Sequence, residues 1–92
     1  MILVAEVECI LYNTHSLKDK RSVLKRIMNK LRKDFNIAIT ELDYHDLWQR
    51  TKFGIVTIST SHTHAEQIIH EVFRVIDEYS ELERTITQVE RI

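Results

Sequence analysis

Proline is absent from this 92-residue chain, and glycine, cysteine and tryptophan each occur once. There are no linkers, low-complexity tracts or clear internal repeats, so residues 1–92 read as one domain with no room for a second. The lone Cys9 excludes an internal disulfide and a cysteine metal cluster; it reads as a small core residue in a reducing compartment. No uninterrupted apolar run reaches the roughly 18 residues that a membrane span needs. The opening MILVAEVECILY holds acidic residues inside its apolar run and has no basic leader, which predicts a strand and not a signal peptide, hence a cytoplasmic protein. None of His15, His45, His62, His64 and His70 falls in an HExxH or Cys/His arrangement, and Cys9 has no neighbouring base. Neither a metal nor a cofactor is expected, and a non-enzymatic role is.

What is present is ordinary soluble-domain material, 43% hydrophobic and 29% charged. From Ile2 to Tyr12 the pattern nearly alternates, with Leu3, Ala5, Val7, Cys9 and Leu11 on one side, which predicts a strand. Ser16 with Asp19 forms a capping-box-like start. Val23, Leu24, Ile27, Met28, Leu31 and Phe35 then recur at helical spacing, predicting a helix over residues 17–35. Ile37, Ile39 and Leu42 predict a strand with a bulge near Glu41, because a strict period of two would bury that carboxylate. A further strand is expected over residues 52–60, and a helix opened by Thr63 and Glu66 carries the stripe Ala65, Ile69, Val72, Phe73, Ile76 and Tyr79. A last strand, about 82–89, has an ambiguous face pattern. The order βαββαβ predicts an α+β, ferredoxin-like fold: a four-stranded antiparallel sheet with two helices on one face.

Charge is the main functional clue. Between Ser16 and Asp34 lie Lys18, Lys20, Arg21, Lys25, Arg26, Lys30, Arg32 and Lys33 against only Asp19 and Asp34, a net +6, while the rest of the chain, with five basic and twelve acidic residues, carries −7. Eight like charges on one helix repel one another, a cost that an anionic partner would relieve. These eight residues are therefore the expected phosphate contacts.

A second surface is the open face of the sheet, where Ile2, Val4, Ile10, Phe53 and Ile55 are expected to point away from the helices, too apolar to leave wet and suited to a homodimer. The run Lys52 to Ile58 partly resembles the ribonucleoprotein strand of RNA-recognition domains. Ile55 stands where a second stacking ring belongs, so base stacking by this face is not expected. Glu41, Asp43 and Asp46 read as turn residues before they read as catalytic carboxylates. In the connection Asp43 to Arg50, Trp48 is expected to fold over the end of the core, with Asp46 and Arg50 tying the loop; the alternative is a partner-contact loop anchored by Trp48, Gln49 and Arg50.

The segments His15-Ser16-Leu17-Lys18-Asp19-Lys20-Arg21 and Asp43-Tyr44-His45-Asp46-Leu47-Trp48-Gln49-Arg50 resemble the two signatures of the YlxP-like bacterial domains of unknown function, a likeness that extends to Glu83-Arg84-Thr85-Ile86-Thr87. The resemblance implies a ferredoxin-like fold and a bacterial cytoplasmic protein whose gene lies among translation and ribosome-assembly genes, near initiation factor two and ribosome-binding factor A. It implies no catalytic residues. The expectation is an accessory factor that binds ribosomal RNA or a ribosomal particle through its basic helix, with a homodimeric interaction module as the alternative.

Overall fold

Apolar side chains at every second position make Ile2–Leu11 a strand, β1, and its residues Leu3, Ala5, Val7, Cys9 and Leu11 are all buried. The computed structural model describes residues Met1 to Ile92. After β1 come α1 (Leu17–Asp34), β2 (Ile37–Asp43), β3 (Arg50–Ile58), α2 (His62–Glu78) and β4 (Leu82–Arg91). The sheet has the order β2-β3-β1-β4, and every neighbouring pair is antiparallel. One cluster of 17 buried apolar side chains joins residues of both helices to one face of the sheet, so the other face is open. This is the ferredoxin-like arrangement the element order predicts.

Helix α1 starts where the sequence says it should. Ser16 Oγ accepts from the N–H of Asp19 at 3.0 Å, and Asp19 reaches back to the N–H of His15 at 3.1 Å, one residue before the cap. Its buried stripe is Leu24, Ile27 and Leu31, each contributing about 2–3 kcal/mol over leaving it in water. Helix α2 differs from expectation: Ser61, not Thr63, is the N-cap, its hydroxyl accepting from His64 N–H at 3.3 Å, and Glu66 pairs with His62. Serine two residues before the expected cap can close the same turn, and pattern alone does not choose between them.

The face assignment in β3 is corrected. Phe53 and Ile55 are fully buried against the helices and not on the open face. Phe53 lies opposite Val7 and Ile55 opposite Ala5, and residues directly opposite in an antiparallel pair share a face. Both rows of β3 are largely apolar, so alternation could not say which one faces in. The open face instead carries Val56 and Ile58, opposite Val4 and Ile2, with Leu42 of β2 and the half-buried Ile2, Val4 and Ile10 of β1. Leu42 lies over Gly54, where a Cβ would come within 2.7 Å of its side chain.

The ambiguity of β4 has a geometric cause. Val7 pairs with Thr87 and Cys9 with Arg84, so Glu8 faces two residues, Thr85 and Ile86, and the inward row changes phase across this bulge. In β2 the register shift falls between Glu41 and Asp43, after the residue near which it was expected. Glu41 therefore keeps the inward phase of Ile37 and Ile39, and its carboxylate does lie inside.

Candidate nucleic-acid interface

A carboxylate beneath the sheet needs a cation, and α1 supplies it. Lys20 is only 1% exposed; its Nζ lies 2.9 Å from Glu41 Oε2 and donates to the Tyr44 carbonyl at 2.5 Å. Thr51, also buried, donates its hydroxyl to the same Glu41 oxygen at 2.6 Å. Lys20 is thus removed from the eight expected phosphate contacts: it is a buried partner of Glu41, and Glu41 is not a turn residue. A signal for this was available. Lys20, Leu24, Ile27 and Leu31 form one stripe at helical spacing, just as Glu41 continues the row of Ile37 and Ile39, so two charges in inward positions imply each other.

The other seven cations divide by direction. On the side toward α2 and β4, Arg26 pairs with Glu81 beside the ring of Tyr79, and Lys30 pairs with Asp34 at 2.6 Å. On the side toward the edge strand β2, Arg32 donates to the Ile39 carbonyl at 2.8 Å and to Asn29 at 3.1 Å, contacts that leave its charge uncompensated. Lys18, Arg21, Lys25 and Lys33 are exposed and form no ion pair. Lys18, Arg21, Lys25 and Arg32, spaced three, four and seven residues apart, share one stripe, while Lys33 lies on the outer face of the helix, nearer Arg26. The effective basic surface is therefore four charges on one flank, with Lys33 on the outer face of the helix.

The loop between β2 and β3 sits at the N-terminal end of this stripe. Its backbone is tied at several points: Thr14 Oγ1 donates to the Trp48 carbonyl at 2.8 Å, Leu11 N–H to the Gln49 carbonyl at 2.9 Å, Leu47 N–H to the Tyr44 carbonyl at 3.0 Å, and Lys20 to that same carbonyl. Thr14, buried at 2% exposure, is a structural contributor that the sequence pattern did not single out. Tyr44 has φ of 65°, a left-handed conformation unfavourable for a bulky residue, with its N–H bonded to Asp43 Oδ1. Arg50 does not tie the loop to Asp46. Its guanidinium lies 4.1 Å from the centre of the Tyr44 ring, and bonds Glu8 at 3.0 Å and the Tyr44 hydroxyl at 3.1 Å. Nor does Trp48 fold over the core: it is 50% exposed, beside Leu47 at 46%. Leu11 and Leu82 are the buried residues at this end of the sheet, so the indole stays outside.

Elsewhere the chemistry is quiet. Burial pushes the Cys9 thiol up to about 12, against the pull of Arg84, so it is no thiolate nucleophile at neutral pH. No group of three His, Cys, Asp or Glu residues is placed to hold a metal ion, and no helix is long and apolar enough to cross a membrane. His62 pairs with Glu66, and His64 Nδ1 lies 3.0 Å from Ser59 Oγ, both local to the start of α2.

An antiparallel β2-β3-β1-β4 sheet, two helices on one face and free cations on the first of them define a small ferredoxin-like domain with a one-sided basic helix. A family model described as "Protein of unknown function (DUF503)" matches residues 2–89, and the chain belongs to that family. It is 49% identical over 90 residues to a protein of Bacillus subtilis (strain 168) described as "Uncharacterized protein YlxP", with 98% of each chain covered. Among solved structures, a de novo designed protein with a ferredoxin fold superimposes with a TM-score of 0.56 over 92% of this chain and 83% of that one, at 18% identity, a likeness of fold alone.

Proposed function

We propose that this protein is an accessory factor that binds ribosomal RNA or a ribosomal particle through α1. The observation that carries the reading is the stripe of Lys18, Arg21, Lys25 and Arg32, with Lys33 on the outer face, all exposed and uncompensated in a chain whose formal net charge is −1. A one-sided patch of this kind steers a polyanion, and each phosphate engaged releases counterions. Five contacts set a ceiling of about −3.5 on the slope of log K against log salt for a single strand, and about −4.5 for a duplex. Eight contacts would have allowed a far steeper dependence.

The test is sedimentation with bacterial ribosomal subunits at low and moderate salt, alongside a variant in which Lys18, Arg21, Lys25 and Lys33 are changed to Glu. Arg32 is left in place because it holds the Ile39 carbonyl. Salt-sensitive co-migration lost in the variant supports the reading, with circular dichroism checking that the fold is kept. Free migration of the parent protein at low salt sinks it.

A second reading, a homodimer or protein-interaction module using the open face, has its own observation. Val4, Ala38, Leu42, Gly54 and Val56 line a groove of about 240 Å³ beside the exposed Ile58. An interface built on these residues survives about 0.5 M salt, whereas phosphate contacts do not. Sedimentation velocity at that salt separates the two.

A further inference from the structure

The loop from Asp43 to Arg50 spends more bonding than a hairpin needs in order to leave its most apolar side chain in water. Its backbone is fastened to β1 through Leu11, to the connection before α1 through Thr14, and to α1 itself through Lys20, whose charge is anchored on Glu41. Trp48 nevertheless keeps half its surface exposed. An aromatic ring held on a fixed backbone is presented, because little conformational entropy is lost when something packs on it. Beside the ring lies a depression of about 460 Å³ bounded by Asp46, Leu47, Trp48, Gln49 and Arg50. The indole offers a face for stacking, while the Gln49 amide and the Asp46 carboxylate offer the donors and acceptors that meet a base edge. Lys18 and Arg21 lie on the first turns of the helix that Lys20 pins to this loop, and both are free of ion pairs. The surround joins the exposed Leu47 to Asp46, Gln49 and Arg50; what favours a polyanion over a protein is the pair of unneutralised cations, Lys18 and Arg21, on the helix pinned beside it.

We propose that Trp48 is a stacking platform for one unpaired RNA base, with Asp46 and Gln49 meeting its edge and Lys18 and Arg21 holding the adjoining phosphates. This rests on the RNA-binding reading of α1 and narrows it to RNA with single-stranded or bulged segments, since a base inside a duplex cannot reach the indole. Loss of one stacked base lowers affinity on the order of tenfold to a hundredfold.

Trp48 is the only tryptophan in the chain, so its emission reports the platform directly. The intact protein is titrated at low salt with a short end-labelled single-stranded RNA and with the same strand in a duplex, reading RNA anisotropy and tryptophan emission together. Quenching that saturates with the anisotropy curve, and single-strand affinity at least about tenfold above duplex affinity, are expected. Trp48→Ala should lower single-strand affinity by about tenfold or more and leave duplex affinity unchanged, with Trp48→Phe intermediate. RNA binding with no change in emission, or undiminished in Trp48→Ala, overturns the platform while leaving the helix reading intact. If Trp48→Ala weakens association with ribosomal particles but not with free RNA, the platform is also overturned, and Trp48 is a protein anchor. Absence of binding to either RNA overturns the platform, while sedimentation with ribosomal subunits decides the reading of α1 separately.

Discussion

Replacing Lys20 with Met keeps the length of the side chain and removes its charge, which leaves Glu41 inside with one fewer partner and the Tyr44 carbonyl with none from α1. Breaking a buried ion pair from one side costs about 3–5 kcal/mol. Glu41 keeps 15% of its side chain exposed and retains the Thr51 hydroxyl, so the lower end, about 3 kcal/mol, applies. For a domain of this size that corresponds to a fall in Tm of about 12–24 °C. Urea unfolding followed by far-ultraviolet circular dichroism gives the free energy directly, provided the slope with urea is unchanged. Glu41→Leu should cost a similar amount, and the double variant no more than either single change, a coupling of about 3 kcal/mol. Additive losses, or a cost for Lys20→Met below about 1 kcal/mol, would refute the burial and pairing assigned to Lys20. The same variant, assayed well below its melting temperature, should keep the parent's salt slope for RNA binding, because the charge it lacks never faces solvent.

Phe53→Ala should destabilise the domain by about 3–5 kcal/mol, whereas Ile58→Ala should stay within about 0.5 kcal/mol, a contrast that urea titration reads and that reverses if the β3 rows are misassigned. Cys9 should resist thiol reagents at pH 8 in the folded protein and react fully in denaturant; stoichiometric native labelling contradicts its burial. Hydrogen bonding to Arg84 holds the Asp77 carboxyl below its ordinary 3.8, so the stability it adds is full above that value and is lost as pH falls through the lower folded one. Asp77→Asn should therefore be less stable than the parent at pH 6 and converge with it in strong acid; a gap independent of pH would refute the linkage.

The element order was legible because each element carries its own period: Leu3 to Leu11 at two, Leu24 to Leu31 and Ala65 to Ile76 at helical spacing. The failures occurred where two rows looked alike or where partners lay far apart in sequence. Phe53 and Val56 both belong to apolar rows, and only pairing with Val7 and Val4 tells them apart. Arg26 reads as a free cation until Glu81 is brought beside it, and Arg50 reads as a partner of Asp46 until Glu8 stands closer. Trp48 reads as a core cap because tryptophans usually bury more of themselves, and nothing local says that Leu11 and Leu82 have already closed that end.

The central place of β1 also governs how the chain assembles in time. Its two partners are β3 and β4, and its register with β4 sets Leu3 against Arg91 and Leu11 against Leu82. Pairings this distant in sequence put folding toward the slow end for small domains, milliseconds to seconds. Synthesis runs from the N-terminus at about 5–20 residues per second, so the first strand made waits several seconds for the last one. During that interval the apolar row from Leu3 to Leu11 has no native sheet to join on its β4 side, and a nascent chain stalled before Leu82 is the form of this protein most exposed to aggregation.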